Sequence, residues 1–97
     1  MKIEIRTTKL TGTEGNVRGL STVTFDGKYA VRNISIVESK KGGLFVSMPS
    51  YKLKELDPNG KAQFKDIAYP VTKEFREMLY GKIMESYKEE QNLEFTI

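Results

Sequence analysis

The chain contains neither cysteine nor histidine. Without cysteine there can be no disulfide, no thiolate metal site and no thiol nucleophile. Without histidine the commonest metal ligand and general base is missing as well. Any catalysis would rest on carboxylate, lysine or tyrosine, and no spacing of those residues suggests a site. The expectation is therefore no enzyme, no cofactor and no metal. Long apolar runs are also missing. Nothing approaches the roughly 20 residues a membrane-spanning helix needs, so no membrane partner is expected. Met1-Lys2-Ile3 leads directly into charged sequence with no signal peptide in view, which makes the cytoplasm the expected location.

Proline is scarce, with three residues, so its positions carry information. Pro49 and Pro70 each follow a short apolar run, Leu44 to Met48 and Phe64 to Tyr69. Proline lacks a backbone donor and turns the preceding residue away from helix, so both runs read as strands that stop there. In the first run Leu44, Val46 and Met48 alternate with Phe45 and Ser47. Two strands tied this closely are expected to pair. The lysine-bearing stretch between them, Pro49 to Gln63, is expected to be one long loop with a turn at Pro58-Asn59-Gly60.

What is present fits one domain. Ninety-seven residues hold one modest core, and dimerisation would bury more apolar surface. Apolar residues make up 38% and charged ones 30%, but five Tyr and five Phe argue against wholesale disorder. The net charge of +3 hides an asymmetry. Residues 1–54 carry ten basic side chains against four acidic ones, an excess of six positive charges. Residues 55–97 carry six basic against nine acidic, an excess of three negative charges. A basic sheet followed by an acidic end permits nucleic-acid binding without requiring it.

In chain order, Lys2 to Lys9 alternates polar and apolar and reads as a strand with Ile3 and Ile5 inward. Thr11 to Asn16 is a turn cluster. Val17 to Phe25 is a second strand, with Val17, Val23 and Phe25 on one face and Thr22 and Thr24 on the other. Asp26-Gly27 marks a hairpin. A three-residue loop sets Phe25 opposite Tyr29 and Val23 opposite Val31, which keeps large apolar groups together, so it is preferred over a two-residue loop. The third strand, Tyr29 to about Val37, slips phase between Val31 and Ile34. Either a bulge at Arg32-Asn33 restores one buried face, or the far half is covered on both sides. Glu38 to Gly43 is the turn into the fourth strand.

The helix starts after Thr72, a good N-cap, with Glu74 at the positive end of its dipole. Phe75, Met78, Leu79, Ile83 and Tyr87 form one apolar stripe. Gly81 within it suggests close packing against the sheet or a second subunit. Leu93, Phe95 and Ile97 alternate with polar residues, and the tail is an added strand, a partner contact or disordered. The expected fold is α+β: an antiparallel sheet of about five strands in a meander of hairpins, then a C-terminal amphipathic helix. As one domain over 1–97, it divides into a sheet part (1–71), a helix (72–90) and a tail (91–97).

The Gly43–Ser50 run, the Asp66–Val71 run and the Thr72–Tyr87 helix resemble the SpoVG family, also called stage V sporulation protein G or septation protein SpoVG. Phe25-Asp26 and Asn33-Ile34 fit as well, and the resemblance extends from the start of the chain to about Tyr87. It implies small cytoplasmic bacterial proteins that form dimers, take part in septum formation, sporulation and gene regulation, and in several cases bind DNA or RNA. The chain departs from the pattern at Tyr69, where histidine is frequent, in a longer stretch from Ser50 to Gln63, and in the more acidic segment after Met84.

The candidate polyanion contacts are Lys40, Lys41, Lys52, Lys54, Lys61 and Lys65, joined by Lys73 and Arg76 on the first helical turns, with Tyr51 placed to stack on an unpaired base. The alternative is a solvated loop kept soluble by lysine. The set lacks an arginine cluster, so base readout by guanidinium groups is weakly supported. Asp66 and Tyr69 read as structural. Two functions follow: a dimeric DNA- or RNA-binding regulator of division or development genes, or a protein-interaction module in cell division with incidental nucleic-acid binding.

Overall fold

The computed structural model describes residues 1–11 and 15–97. The middle of the turn expected over Thr11–Asn16, residues 12–14, lies outside the described residues. Among the described residues seven strands and one helix follow in the order β1 (Lys2–Lys9), β2 (Val17–Phe25), β3 (Tyr29–Glu38), β4 (Leu44–Ser47), β5 (Ser50–Leu56), β6 (Ala62–Asp66), α1 (Lys73–Glu89) and β7 (Leu93–Thr96). Five form an antiparallel sheet in the order β4-β3-β2-β1-β7, and β5 and β6 form a separate two-stranded ribbon. The fold is α+β, as the patterning predicts. Among the described residues no helix is long and apolar enough to cross a membrane.

The core gathers on one face of the sheet beneath α1. Ile3 and Ile5 of β1, Val23 of β2, Ile34 and Ile36 of β3, Met48 and the helical Leu79 and Ile83 are buried together. α1 packs against both β1 and β4, which are separated by β2 and β3, so the twisted sheet curls around the helix. Lys9 lies over the Tyr87 ring at 5.0 Å and Lys82 over Phe95 at 5.4 Å, which ties the helix to β1 and β7.

Side-chain phase in β3 is corrected by a bulge at Arg32-Asn33. Ser21 stands opposite Ile34 and Val23 opposite Val31, so two residues of β3 face one of β2. Asn33 adopts φ 61°, a left-handed conformation that asparagine tolerates better than most residues. The three-residue hairpin loop is also as expected, with Phe25 opposite Tyr29. Asp26 and Gly27 take φ 53° and 62°. The Asp26 carboxylate accepts from the Lys2 backbone at 2.7 Å.

α1 begins at Thr72, whose hydroxyl accepts from the Phe75 amide at 3.2 Å. It ends where Glu90 turns left-handed at φ 54° and its amide bonds back to the last turn. The buried Ser86 hydroxyl donates to the Gln91 carbonyl at 2.6 Å, fixing the exit toward β7. The tail is thus an added strand. It pairs with β1, setting Phe95 opposite Ile3 and Leu93 opposite Ile5.

Three expectations need correction. The stretch from Pro49 to Gln63 is not a loop, because β5 and most of β6 lie within it. The strand expected over Phe64–Tyr69 is displaced to Ala62–Asp66, and it does not pair with β4, whose partner is β3. The link between the two proline-ended runs is instead the ribbon's root, where Ser50 stands opposite Asp66 and the Ile67 amide donates to the Pro49 carbonyl at 2.7 Å. The fifth strand of the main sheet is β7. Finally, Gly81 does not pack on the sheet, since a Cβ there meets nothing within 4 Å. The glycine in close contact is Gly19, where a Cβ would stand 3.0 Å from the Tyr87 ring and 3.2 Å from the Thr8 carbonyl.

Candidate nucleic-acid interface

The ribbon is a hairpin because its turn is chemically specified. One oxygen of the Asp57 carboxylate accepts from the backbone amides of Asn59 and Lys61 at 2.9 and 2.8 Å. The Asp57 and Gly60 amides donate across the turn, and Gly60 takes φ 79°. Asp57 is thereby spent on the backbone, although it stands beside the lysines in sequence. From the turn, Leu56 faces Ala62, Lys52 faces Phe64 and Tyr51 faces Lys65, with irregular pairing between Lys52 and Leu56.

Residues directly opposite in an antiparallel pair share a face, and successive residues alternate. Tyr51 and Lys65 therefore occupy one face and Lys52 and Phe64 the other. Each face offers one cation beside one aromatic ring. Both rings are open, Tyr51 at 48% and Phe64 at 64% exposure. Tyr51 was singled out in the sequence, whereas Phe64 was read only as a strand residue. The signal that could have found it was the Pro58-Asn59-Gly60 turn, which folds the stretch after Ser50 back on itself and so brings Phe64 alongside Lys52.

The other candidates lie elsewhere. Lys40 and Lys41 occupy the β3–β4 turn, closed by the Ser39 amide donating to Gly43 at 2.7 Å and by Gly42 at φ 94°. That turn and the ribbon leave β4 from opposite ends. Lys73 and Arg76 stand at the start of α1. Lys73 lies 3.9 Å from Glu77, and Arg76 donates to the Pro70 carbonyl at 3.3 Å. All nine candidates are exposed. Among the described residues Lys40, Lys41, Lys52, Lys54, Lys61 and Lys65 form no ion pair, unlike Lys2, Lys9, Arg18 and Lys82. The candidates thus form a ribbon group of four lysines and Tyr51, a separate turn pair and a helix-start pair.

The helix start connects to the ribbon's root electrostatically. Burial pushes the Tyr80 phenol above its ordinary 10.0, Arg76 opposes that rise, and Asp66 at the end of β6 adds to it. Next to this junction an open apolar groove of about 570 Å³ is lined by Phe25, Tyr29, Met48, Tyr69 and Phe75, among others. Tyr69, which reads as structural in the sequence, is exposed on the wall of this groove. Among the described residues no group of three or more carboxylates is placed to hold a metal ion.

Comparison with known proteins agrees with the architecture. The SpoVG family model matches residues 1–89, from the start of β1 to the end of α1. Proteins bearing the name "Putative septation protein SpoVG" are similar over most of their length. The one from Clostridium beijerinckii is 39% identical over 85 residues, covering 88% of this chain and 85% of its own. The one from Caldicellulosiruptor saccharolyticus is 38% identical, covering 88% of each chain. The one from Clostridioides difficile strain 630 is 37% identical over 90 residues, covering 92% of this chain and 89% of its own.

Proposed function

The chain belongs to the SpoVG family, and from that premise we propose that it is a dimeric nucleic-acid-binding regulator linked to septum formation and sporulation, acting in the cytoplasm by binding and not by catalysis. The septation link is supported by the names of its relatives. The observation that carries the binding reading is the ribbon. Lys52, Lys54, Lys61 and Lys65 project from it without carboxylate partners among the described residues, and Tyr51 and Phe64 stand exposed beside them. Unpaired ammonium groups attract phosphates, and open rings accept unstacked bases. Lysine supplies a point charge and no planar fork, so the contact tracks backbone more than base edges.

Binding to duplex DNA and to single-stranded RNA, measured at several salt concentrations, tests this. The expected result is salt-sensitive binding in which Lys52→Ala with Lys54→Ala lowers the slope of log affinity against log salt by about 2 per protomer on duplex DNA. Binding to neither polyanion at micromolar protein removes the reading. The open groove favours a second reading, a protein-interaction module in cell division. Capture of a division protein that is unchanged by Lys52→Glu and Lys54→Glu supports that alternative.

A further inference from the structure

One face of the molecule takes no part in the ribbon or the groove: the side of the main sheet turned away from α1. There β1, β2 and β3 frame an open cleft of about 450 Å³, lined by Arg6, Thr8, Leu20, Thr22, Arg32 and Asn33, among others. Alternation sets its β1 and β2 members, because Ile5 and Val23 point into the core and their neighbours Arg6 and Thr22 point out. Arg6 stands directly opposite Thr22. On the other side of Thr22 the β3 bulge sets both Arg32 and Asn33 against that one residue. The bulge that restores the buried face therefore also delivers two side chains to the outer one. Both arginines are exposed, and among the described residues neither guanidinium forms an ion pair or a hydrogen bond. Two carboxylates of the same strands are engaged elsewhere, Glu4 at 3.6 Å from Lys2 and Glu38 at 2.8 Å from Arg18. Among the described residues no carboxylate lines the cleft.

We propose that this cleft binds the phosphate of a small phosphomonoester. Arg6 and Arg32 stand on either side of β2, two strand spacings or about 10 Å apart at the backbone, so their side chains can close on one phosphate above Thr22. A guanidinium group presents paired donors in a planar fork that matches phosphate oxygens, which an ammonium group does not. The Thr8 and Thr22 hydroxyls and the Asn33 amide add further donors, and the exposed Leu20 offers an apolar wall for the organic part of the ligand. Charge selects the ester. Two guanidinium groups without a carboxylate match a monoester, which carries about −1.5 to −2 at pH 7, better than a diester with a single charge. The cleft thus differs in chemistry from the ribbon, whose lysines are suited to a chain of diesters.

Amide NMR spectra of the full chain, titrated separately with adenosine monophosphate, inorganic phosphate and dimethyl phosphate, test this. Adenosine monophosphate is expected to bind saturably and to shift the amides of Arg6, Thr22 and Arg32. It should bind more tightly than inorganic phosphate, which cannot reach Leu20, and than dimethyl phosphate, which is a diester. Arg6→Gln and Arg32→Gln are each expected to weaken adenosine monophosphate about 10-fold or more, as loss of a charge-assisted hydrogen bond does. Both sites are exposed, so these variants should fold, and the same spectra check it. Arg32→Lys is the second variant: it keeps the charge, loses the fork and should also bind more weakly than wild type. Lys52→Ala with Lys54→Ala should leave adenosine monophosphate binding unchanged, and the two Gln variants should leave the salt slope on duplex DNA unchanged. No saturable binding, shifts confined to the ribbon, or wild-type affinity in both Gln variants overturns the site. Equal affinity for inorganic phosphate or for dimethyl phosphate overturns the choice of a monoester. Gln variants that lower the slope on DNA and leave adenosine monophosphate binding intact would make the cleft part of the polyanion contact and overturn the proposal as well.

Discussion

Two glycines with opposite surroundings give opposite predictions. Gly81 sits mid-helix with open space where a Cβ would be. Alanine there removes backbone freedom from the unfolded chain without a clash, so Gly81→Ala should stabilise by about 1 kcal/mol. In a chain of this size that raises Tm by about 4–8 °C. Gly19 is buried, and its added Cβ would meet the Tyr87 ring and the Thr8 backbone carbonyl. The ring can shift slightly, but the carbonyl belongs to the β1 ladder, so Gly19→Ala should lower Tm. A thermal melt of both variants checks the signs. The sequence drew attention to the wrong glycine for a physical reason. A helical glycine looks costly in isolation, whereas the demand on Gly19 comes from a helix more than sixty residues away. Asn33 was the reverse case. The broken alternation between Val31 and Ile34 is visible locally, and the bulge follows from it.

Among the elements, the strands with one buried face were legible because alternation records burial. Ile3 with Ile5 and Ile34 with Ile36 declare their inward side, and all four are fully buried. The ribbon was not legible in the same way. Its faces are both open, so Ser50–Leu56 alternates weakly and its lysines read as loop. β7 was legible as a pattern but not as a position, since nothing local says which strand it joins. Its junction carries a testable charge cluster. Lys2 lies 3.0 Å from Glu94 of β7 and 3.6 Å from Glu4. The hydrogen bond and charge of Glu94, then Glu4, raise the Lys2 ammonium above its ordinary 10.5. A raised folded value means the contribution is complete below pH 10.5 and is lost as pH climbs past it. Tyr80, also raised, changes stability in the same direction above its ordinary 10.0. Tm should therefore fall between pH 10 and 11.5. Lys2→Met should shallow that fall, as should Tyr80→Phe, and leave the profile from pH 6 to 8 in shape. A fall identical in all three proteins would remove both groups as its cause.

On the scale of the whole molecule, the absence of histidine has a functional consequence. The asymmetry between a basic first part and an acidic end is built from Lys, Arg, Asp and Glu alone. No side-chain type present ordinarily titrates between pH 6 and 7, the interval in which histidine changes charge. The polyanion contact proposed for the ribbon should thus keep the same number of neutralised phosphates across that interval. Plots of log affinity against log salt, measured on duplex DNA at pH 6 and at pH 7, should run parallel and nearly superimpose. The Lys52→Ala, Lys54→Ala protein should lose the same increment of slope at both values, because the loss counts phosphates released from contact. A slope that changes by one or more between the two pH values would mean that a titrating group lies in the interface. In a chain without histidine that group would be a carboxylate whose protonation is coupled to phosphate.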